Sequence, residues 1–192
     1  MLKLDKILLF IGLIIPLLSF ATHNRGGEIT YEHVSGLTYR FTITTCTDIS
    51  AAAQADRSEL YIDFGDGEGD TIPRVVPVTQ IQGFPDHQKN IYIGTHTYVT
   101  SGTYYIKVED PNRNANILNI YPNGGGTSDN VVFALQSKLV INPFLGNGGA
   151  NNSLIFDDCP CPAIACVGKT YCYNPQAVDP DGDSLSYELV AP

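Results

Sequence analysis

Three groups of side chains in this 192-residue chain have types and spacings that could do chemistry. The first is acidic. Asp63, Asp66, Glu68 and Asp70 crowd the stretch that opens Tyr61-Ile62-Asp63-Phe64-Gly65-Asp66-Gly67. A carboxylate pair hydrolyses a glycoside when its members oppose each other across a cleft. Four carboxylates in one short stretch lack that geometry, so the segment reads as a structural turn. Gly65 and Gly67 permit positive φ there, and Asp63 and Asp66 accept turn N–H groups. The second group is Asp179-Pro180-Asp181-Gly182-Asp183, followed by Ser184 to Leu189 with Glu188 inside it. Three carboxylates alternating around a glycine suit Ca²⁺, which takes six to eight oxygen ligands. An EF-hand fits poorly, because Gly182 is the fourth residue from Asp179 rather than the sixth and no helices flank it. The expected metal ligands are Asp179, Asp181 and Asp183, with Glu188 a weaker one. A merely solvated acidic turn is the alternative.

The third group is sulfur. Cys159, Cys161, Cys166 and Cys172 cluster near the end of the chain, and Cys46 stands alone. The spacing lacks paired C-x-x-C knuckles of a structural zinc site. In an oxidising compartment disulfides are the default, so all four clustered cysteines are disulfide candidates, with connectivity left open. The histidines are His23, His33, His87 and His96, and no H-E-x-x-H spacing occurs. No nucleophile elbow or phosphate loop is present. Gly124-Gly125-Gly126 lacks the following Lys and helix and reads as a flexible turn.

The elements that must position these groups are strands. Glu28–Val34 and Thr38–Thr45 alternate apolar with polar residues at period two, and are rich in β-branched and aromatic types. Glu59–Phe64, Thr71–Val78, Asn90–Tyr98, Thr103–Glu109, Ile117–Tyr121 and Val131–Ile141 follow the same habit. Turn signals such as Ser35-Gly36, Asp66-Gly67, Ser101-Gly102 and Asp110-Pro111-Asn112 bound them. Ile49–Leu60 reads as a short helix or a loop. About eight short strands with turns every ~8–12 residues predict an all-β sandwich over residues 22–142. An Asn- and Gly-rich stretch, residues 143–153, reads as a linker. Residues 154–192 then read as the start of a second, incomplete domain ending on a strand-like Ser184–Val190.

Residues 1–21 address the chain. Lys3 and Lys6 precede an apolar run from Ile7 to Phe20, and Ser19-Phe20-Ala21 places small residues at a cleavage site before Thr22. That is a secretory signal peptide rather than an anchor: the run is 14 residues and holds Pro16, whereas a spanning helix needs roughly 20. No later segment is long and apolar enough to span. The formal charge is −9, and −10 once residues 1–21 are removed. Such a chain repels phosphate backbones, so nucleic acid is excluded as an expected partner.

Two resemblances rest on these motifs. Tyr61 to Gly67, Thr95-His96-Thr97-Tyr98 and Gly102-Thr103-Tyr104-Tyr105-Ile106-Lys107-Val108 resemble the polycystic-kidney-disease (PKD) type of Ig-like domain, with Ile62 where that family usually has Trp. The Asp179–Glu188 segment resembles the D-x-D-G-D-x-L-x-Y turn of cadherin-like bacterial Ig repeats, where a cation rigidifies a domain junction. A longer match covers most of residues 22–192. Ala21-Thr22-His23-Asn24-Arg25-Gly26-Gly27-Glu28-Ile29-Thr30-Tyr31, Asn151-Asn152-Ser153, Cys166-Val167-Gly168 and Asn174 through Tyr187 look like the opening of very large gliding-motility-associated surface proteins of Bacteroidetes-type bacteria. That resemblance implies an extracellular or cell-surface multidomain protein carried by the type IX secretion system, with no assigned catalytic residues.

The expected function is therefore a structural or adhesive, non-enzymatic module of the cell surface, with surface glycans or other surface proteins as partners. The rival is an accessory carbohydrate-binding module of a secreted hydrolase, with Tyr92, Tyr104, Tyr105 or Tyr121 as stacking platforms. An exposed array of coplanar Tyr rings would favour the rival; alternate strand positions pointing into a core would not.

Overall fold

The computed structural model describes residues 24–50, 56–115, 117–118, 120, 122, 125–144, 150–156, 166–170, 172 and 174–190. Residues 1–21 and the cleavage site lie outside that set. The chain is an all-β sandwich. Its first sheet has the order β1-β2-β6-β5, from β1 (Asn24–Ser35), β2 (Thr38–Asp48), β6 (Phe84–Thr97) and β5 (Thr79–Ile81). Its second sheet has the order β4-β3-β7-β8, from β4 (Gly69–Pro73), β3 (Glu59–Asp63), β7 (Gly102–Asp110) and β8 (Phe133–Ile141). All ladders are antiparallel. A small third sheet pairs β9 (Ile155–Phe156) with β10 (Ala177–Val178).

The period-two patterns decide which faces meet. In β2, Tyr39, Phe41 and Ile43 are fully buried, while Arg40 between them is exposed. Ile62 of β3, Ile106 of β7 and Leu139 of β8 meet them from the second sheet, each fully buried. Burying one such side chain contributes about 1.5–3 kcal/mol, and these residues form the centre of the sandwich's core. Ile62 occupies a core position, and an aliphatic side chain fills it. The sheets approach so closely at Gly94 that an added Cβ would stand 2.7 Å from Ile72 Cγ2. A larger residue there would push them apart.

Several elements differ from the sequence reading. β1, β2 and β6 are longer than expected, because polar residues at their ends still find ladder partners across the sheet. Thr71–Val78 shortens to a strand ending at Pro73, because the chain then leaves β3 for β6, with Val75 N donating to Ile91 O (2.7 Å). β5 carries no alternating pattern and pairs only along the edge of β6. Ile117–Tyr121 forms no strand among its described residues: Ile120 N donates to Ile117 O in a turn. The Ile49–Leu60 segment shows no helix at its described residues. Ser184–Val190 is not laddered to any strand. Asn151–Ser153 are not a free connection but run along β1, with Ser153 N donating to Tyr31 O (2.9 Å).

Candidate functional site

The turn between β3 and β4 is built from its own carboxylates. Asp63 Oδ1 accepts the Gly65 N–H (2.8 Å), and Asp66 Oδ1 accepts the Glu68 N–H (3.1 Å). Phe64 N–H closes the turn on Glu68 O (3.0 Å). Gly65 has φ +81°, and a Cβ there would lie 2.6 Å from Tyr105 O; only glycine meets both demands. Asp63 and Asp66 thus accept N–H groups of their own turn, and Gly65 and Gly67 both take positive φ within it.

His96 of β6 reaches this turn across the sandwich. Its Nε2 lies 2.7 Å from Asp66 Oδ2. The imidazole is stacked on Phe64 (centroids 4.1 Å apart, planes 3° apart) and meets Tyr98 edge-on at 4.7 Å. The Tyr98 hydroxyl, its pKa raised by burial, donates to Phe64 O (3.0 Å). Burial alone would raise the Asp66 pKa. The hydrogen bond from His96 and the Glu68 N–H outweigh it, and the carboxyl is held below the usual range. Asp66, Glu68 and His96 place donor atoms within 4.8 Å of one another, the one such group among the described residues. By type they could hold a divalent ion. Two of them, however, already bond to each other through His96 Nε2 and Asp66 Oδ2, and Asp66 spends its other oxygen on the turn. Asp63, Asp66, Glu68 and Asp70 lie together on this one turn and the start of β4, whereas glycoside hydrolysis uses carboxylates that face each other across a cleft.

The Asp179 turn works as a clamp. Asp179 Oδ1 accepts the N–H groups of Asp181 (2.8 Å) and Asp183 (3.3 Å). Asp181 turns outward and accepts both the Asn152 N–H (2.6 Å) and its side-chain Nδ2 (2.9 Å). Asn152 Oδ1 in turn accepts the His33 N–H of β1 (2.8 Å). Ser153 Oγ accepts Tyr31 N–H (2.8 Å), and Asn151 Nδ2 donates to the Tyr31 hydroxyl (3.0 Å). Burial pushes the pKa of that hydroxyl up to about 12, so it stays protonated and donates onward to Lys138 O (3.0 Å). A chain of polar contacts therefore joins the acidic turn to both sheets. Asp179, Asp181 and Asp183 do not draw three ligand atoms within 4.8 Å of each other, and Glu188 is exposed.

Sequence reasoning passed over the polar end of the sandwich. Asn90 is buried in β6 (2 % exposed), donates to Thr47 Oγ1 (3.0 Å) and accepts from Arg74 and Gln88. Arg74 also pairs with Asp56. Asp110 is equally buried (4 %) and is gripped by Arg57 and Asn112. The available signal was Asn90 itself, a polar residue at an inward-facing position of an alternating strand.

Cys166 and Cys172 are exposed free thiols, which takes them out of the disulfide expectation in this structure; Cys159 and Cys161 lie outside the described residues. Cys46 is fully buried in β2. Of the proposed stacking tyrosines, Tyr92 is buried with its hydroxyl donating to Arg57 O. Tyr104 stacks internally on Tyr98 at 4.1 Å, Tyr105 is half-exposed, and Tyr121 lies outside the described residues. No described helix is long and apolar enough to cross a membrane. Comparison with protein-family models, curated proteins and solved structures finds no match to the chain.

Proposed function

We propose that this chain is an exported, non-enzymatic structural or adhesive module of a bacterial cell surface, built on a PKD-type Ig-like sandwich at the start of a larger gliding-associated protein. One observation carries the reading: the carboxylates best spaced for chemistry are spent on holding the fold. Asp63 and Asp66 close a turn, Asp66 pins His96, Asp110 grips Arg57, and Asp181 clamps the C-terminal segment to β1. A module that bears load or presents a surface needs such internal bonds; a hydrolase needs some carboxylates left free in a cleft. The carbohydrate-binding alternative loses two of its platforms, since Tyr92 and Tyr104 serve the interior.

Export, disulfides and calcium belong to the same proposal. Cys46 is proposed as the inner end of a bridge to the cysteine cluster. Calcium at the Asp179 turn would have to take Asp181 from Asn152. The ion is proposed at Asp179, Asp181 and Asp183, with Glu188 as a weaker ligand.

The test is export and adhesion. Produced in a bacterium of that kind, the protein should begin at Thr22 by N-terminal sequencing. Beads coated with it should adhere to surface glycans or surface proteins and release no sugar from glycans. Retention of residue 1, or glycan cleavage, would overturn the proposal.

A further inference from the structure

The two sheets finish differently on the side where β1 and β8 lie. β1 is the outer strand of the first sheet, and Asn151–Ser153 already run along it, bonded to the main chain of Tyr31 and His33. β8 is the outer strand of the second sheet, and among the described residues no segment is laddered to its far side.

Which atoms of β8 are left facing outward follows from β7. A Cβ on Gly65 would meet both Tyr105 N (2.7 Å) and Tyr105 O (2.6 Å), so the main chain of Tyr105 faces β3 and not β8. Tyr105 pairs with Lys138, which makes this a non-hydrogen-bonded pair, and Lys138 must point its main chain away from β7. The Tyr31 hydroxyl bound to Lys138 O agrees. Main-chain direction alternates along a strand, so Ala134, Gln136 and Val140 share the orientation of Lys138. Their N–H and C=O groups line an open edge nine residues long, uninterrupted by Pro. Such an edge is a template for another strand.

The open side is a groove of about 580 Å³. Leu135–Lys138 form one wall, and Ser184, Leu185 and Ser186 form part of the other. Those three residues begin Ser184–Val190, where Leu185, Tyr187 and Leu189 alternate with Ser184, Ser186 and Glu188. The pattern is that of a strand, yet Leu189 is fully exposed and Tyr187 is 62 % exposed. The β9–β10 pairing and the Asp181–Asn152 clamp fix the start of this stretch beside the groove. Only Gly182 and Asp183 separate the clamp from Ser184, so closing the gap costs little chain entropy.

We infer that Ser184–Val190 is the partner of β8's free edge, the counterpart on the second sheet of Asn151–Ser153 on the first. It adds as a fifth strand. Its main chain joins Ala134, Gln136, Lys138 and Val140, and its apolar face covers Leu135 and the seam between β1 and β8. The structure holds the segment beside the edge with the ladder unformed.

Amide hydrogen exchange, followed residue by residue by NMR on the full chain, tests this. The amides of Leu135, Ser137 and Leu139 face β7 and serve as internal controls. The amides of Ala134, Gln136, Lys138 and Val140 should be protected as well. Replacing Ser186→Pro together with Tyr187→Pro removes the N–H aimed at β8, whichever of the two it is. Those four amides should then exchange about tenfold faster or more, while the controls stay unchanged. The inference is overturned if the four exchange freely in the intact chain, or if the prolines leave them protected. It is also overturned if their protection disappears on dilution, which would give the edge to a second copy of the chain.

Discussion

Asp110 ends β7 at the polar end of the sandwich, and its removal gives a sharp test of how that end is held. One oxygen accepts Arg57 Nε at 2.9 Å. The other accepts Arg57 Nη2 at 3.2 Å, Asn112 N at 2.9 Å and Asn112 Nδ2 at 2.8 Å. The turn it organises then takes the Asn24 N–H on Asn112 O (2.9 Å), tying β1 to the second sheet. Breaking a fully buried ion pair costs about 3–5 kcal/mol. The Arg57 side chain is 39 % exposed, so water takes over part of its solvation and the figure must be discounted. Losing charged hydrogen bonds in a site this buried leaves Asp110→Ala destabilised by about 2–3 kcal/mol at neutral pH. Burial alone would raise the Asp110 pKa, but the Arg57 and Asn112 bonds outweigh it and the folded value is lowered. A lowered carboxylate pKa contributes stability above the unfolded value of about 3.9, and that stability is lost as pH falls through the folded value. Urea unfolding of the chain and of Asp110→Asn should therefore show a gap at pH 7 that narrows below about pH 4. An Asp110→Ala loss under about 0.5 kcal/mol would refute the reasoning, as would a gap between chain and Asp110→Asn that is the same at both pH values.

Three further outcomes are expected. Ile62→Ala, at a fully buried position, should cost about 2–5 kcal/mol in the same unfolding assay, and a smaller loss would mean that the core collapses to fill the site. Asp181→Ala should free Asn152 and speed amide exchange at Tyr31 and His33 of β1 while leaving β3 unaffected; unchanged exchange would mean that the clamp holds nothing. Non-reducing mass spectrometry of protein from its native compartment should find Cys46 in a disulfide, and five free thiols would sink that part of the proposal.

The fold was legible because its signal is local. Tyr39, Phe41 and Ile43 face inward for the same reason they alternate in the sequence, and the Asp63–Gly67 turn uses residues within five positions of each other. What was not legible depends on distant pairing. β5 exists only because β6 overhangs it, and Ile117–Tyr121 looks like a strand but finds no ladder among its described residues. Asn152 looked like linker composition, yet its partners are Asp181, 29 residues away, and His33, 119 residues away. Composition cannot encode such contacts, because nothing in Asn-Asn-Ser distinguishes a docked amide from a solvated one.

The same contrast bears on the acidic turns. Asp63 and Asp179 have similar sequence surroundings, and each accepts N–H groups of its own turn, as expected of aspartates near glycine. Asp66 and Asp181 differ from them in what lies across space: His96 for one, Asn152 for the other. In both turns the first aspartate shapes the loop and the next one ties the loop to another element. Charge that a sequence offers for metal or catalysis is in this way converted to architecture. The conversion is reversible only where the distant partner can be given up, and that picks out Asp181, held by a neutral amide, over Asp66, which faces an imidazole stacked on Phe64 and edge-on to Tyr98.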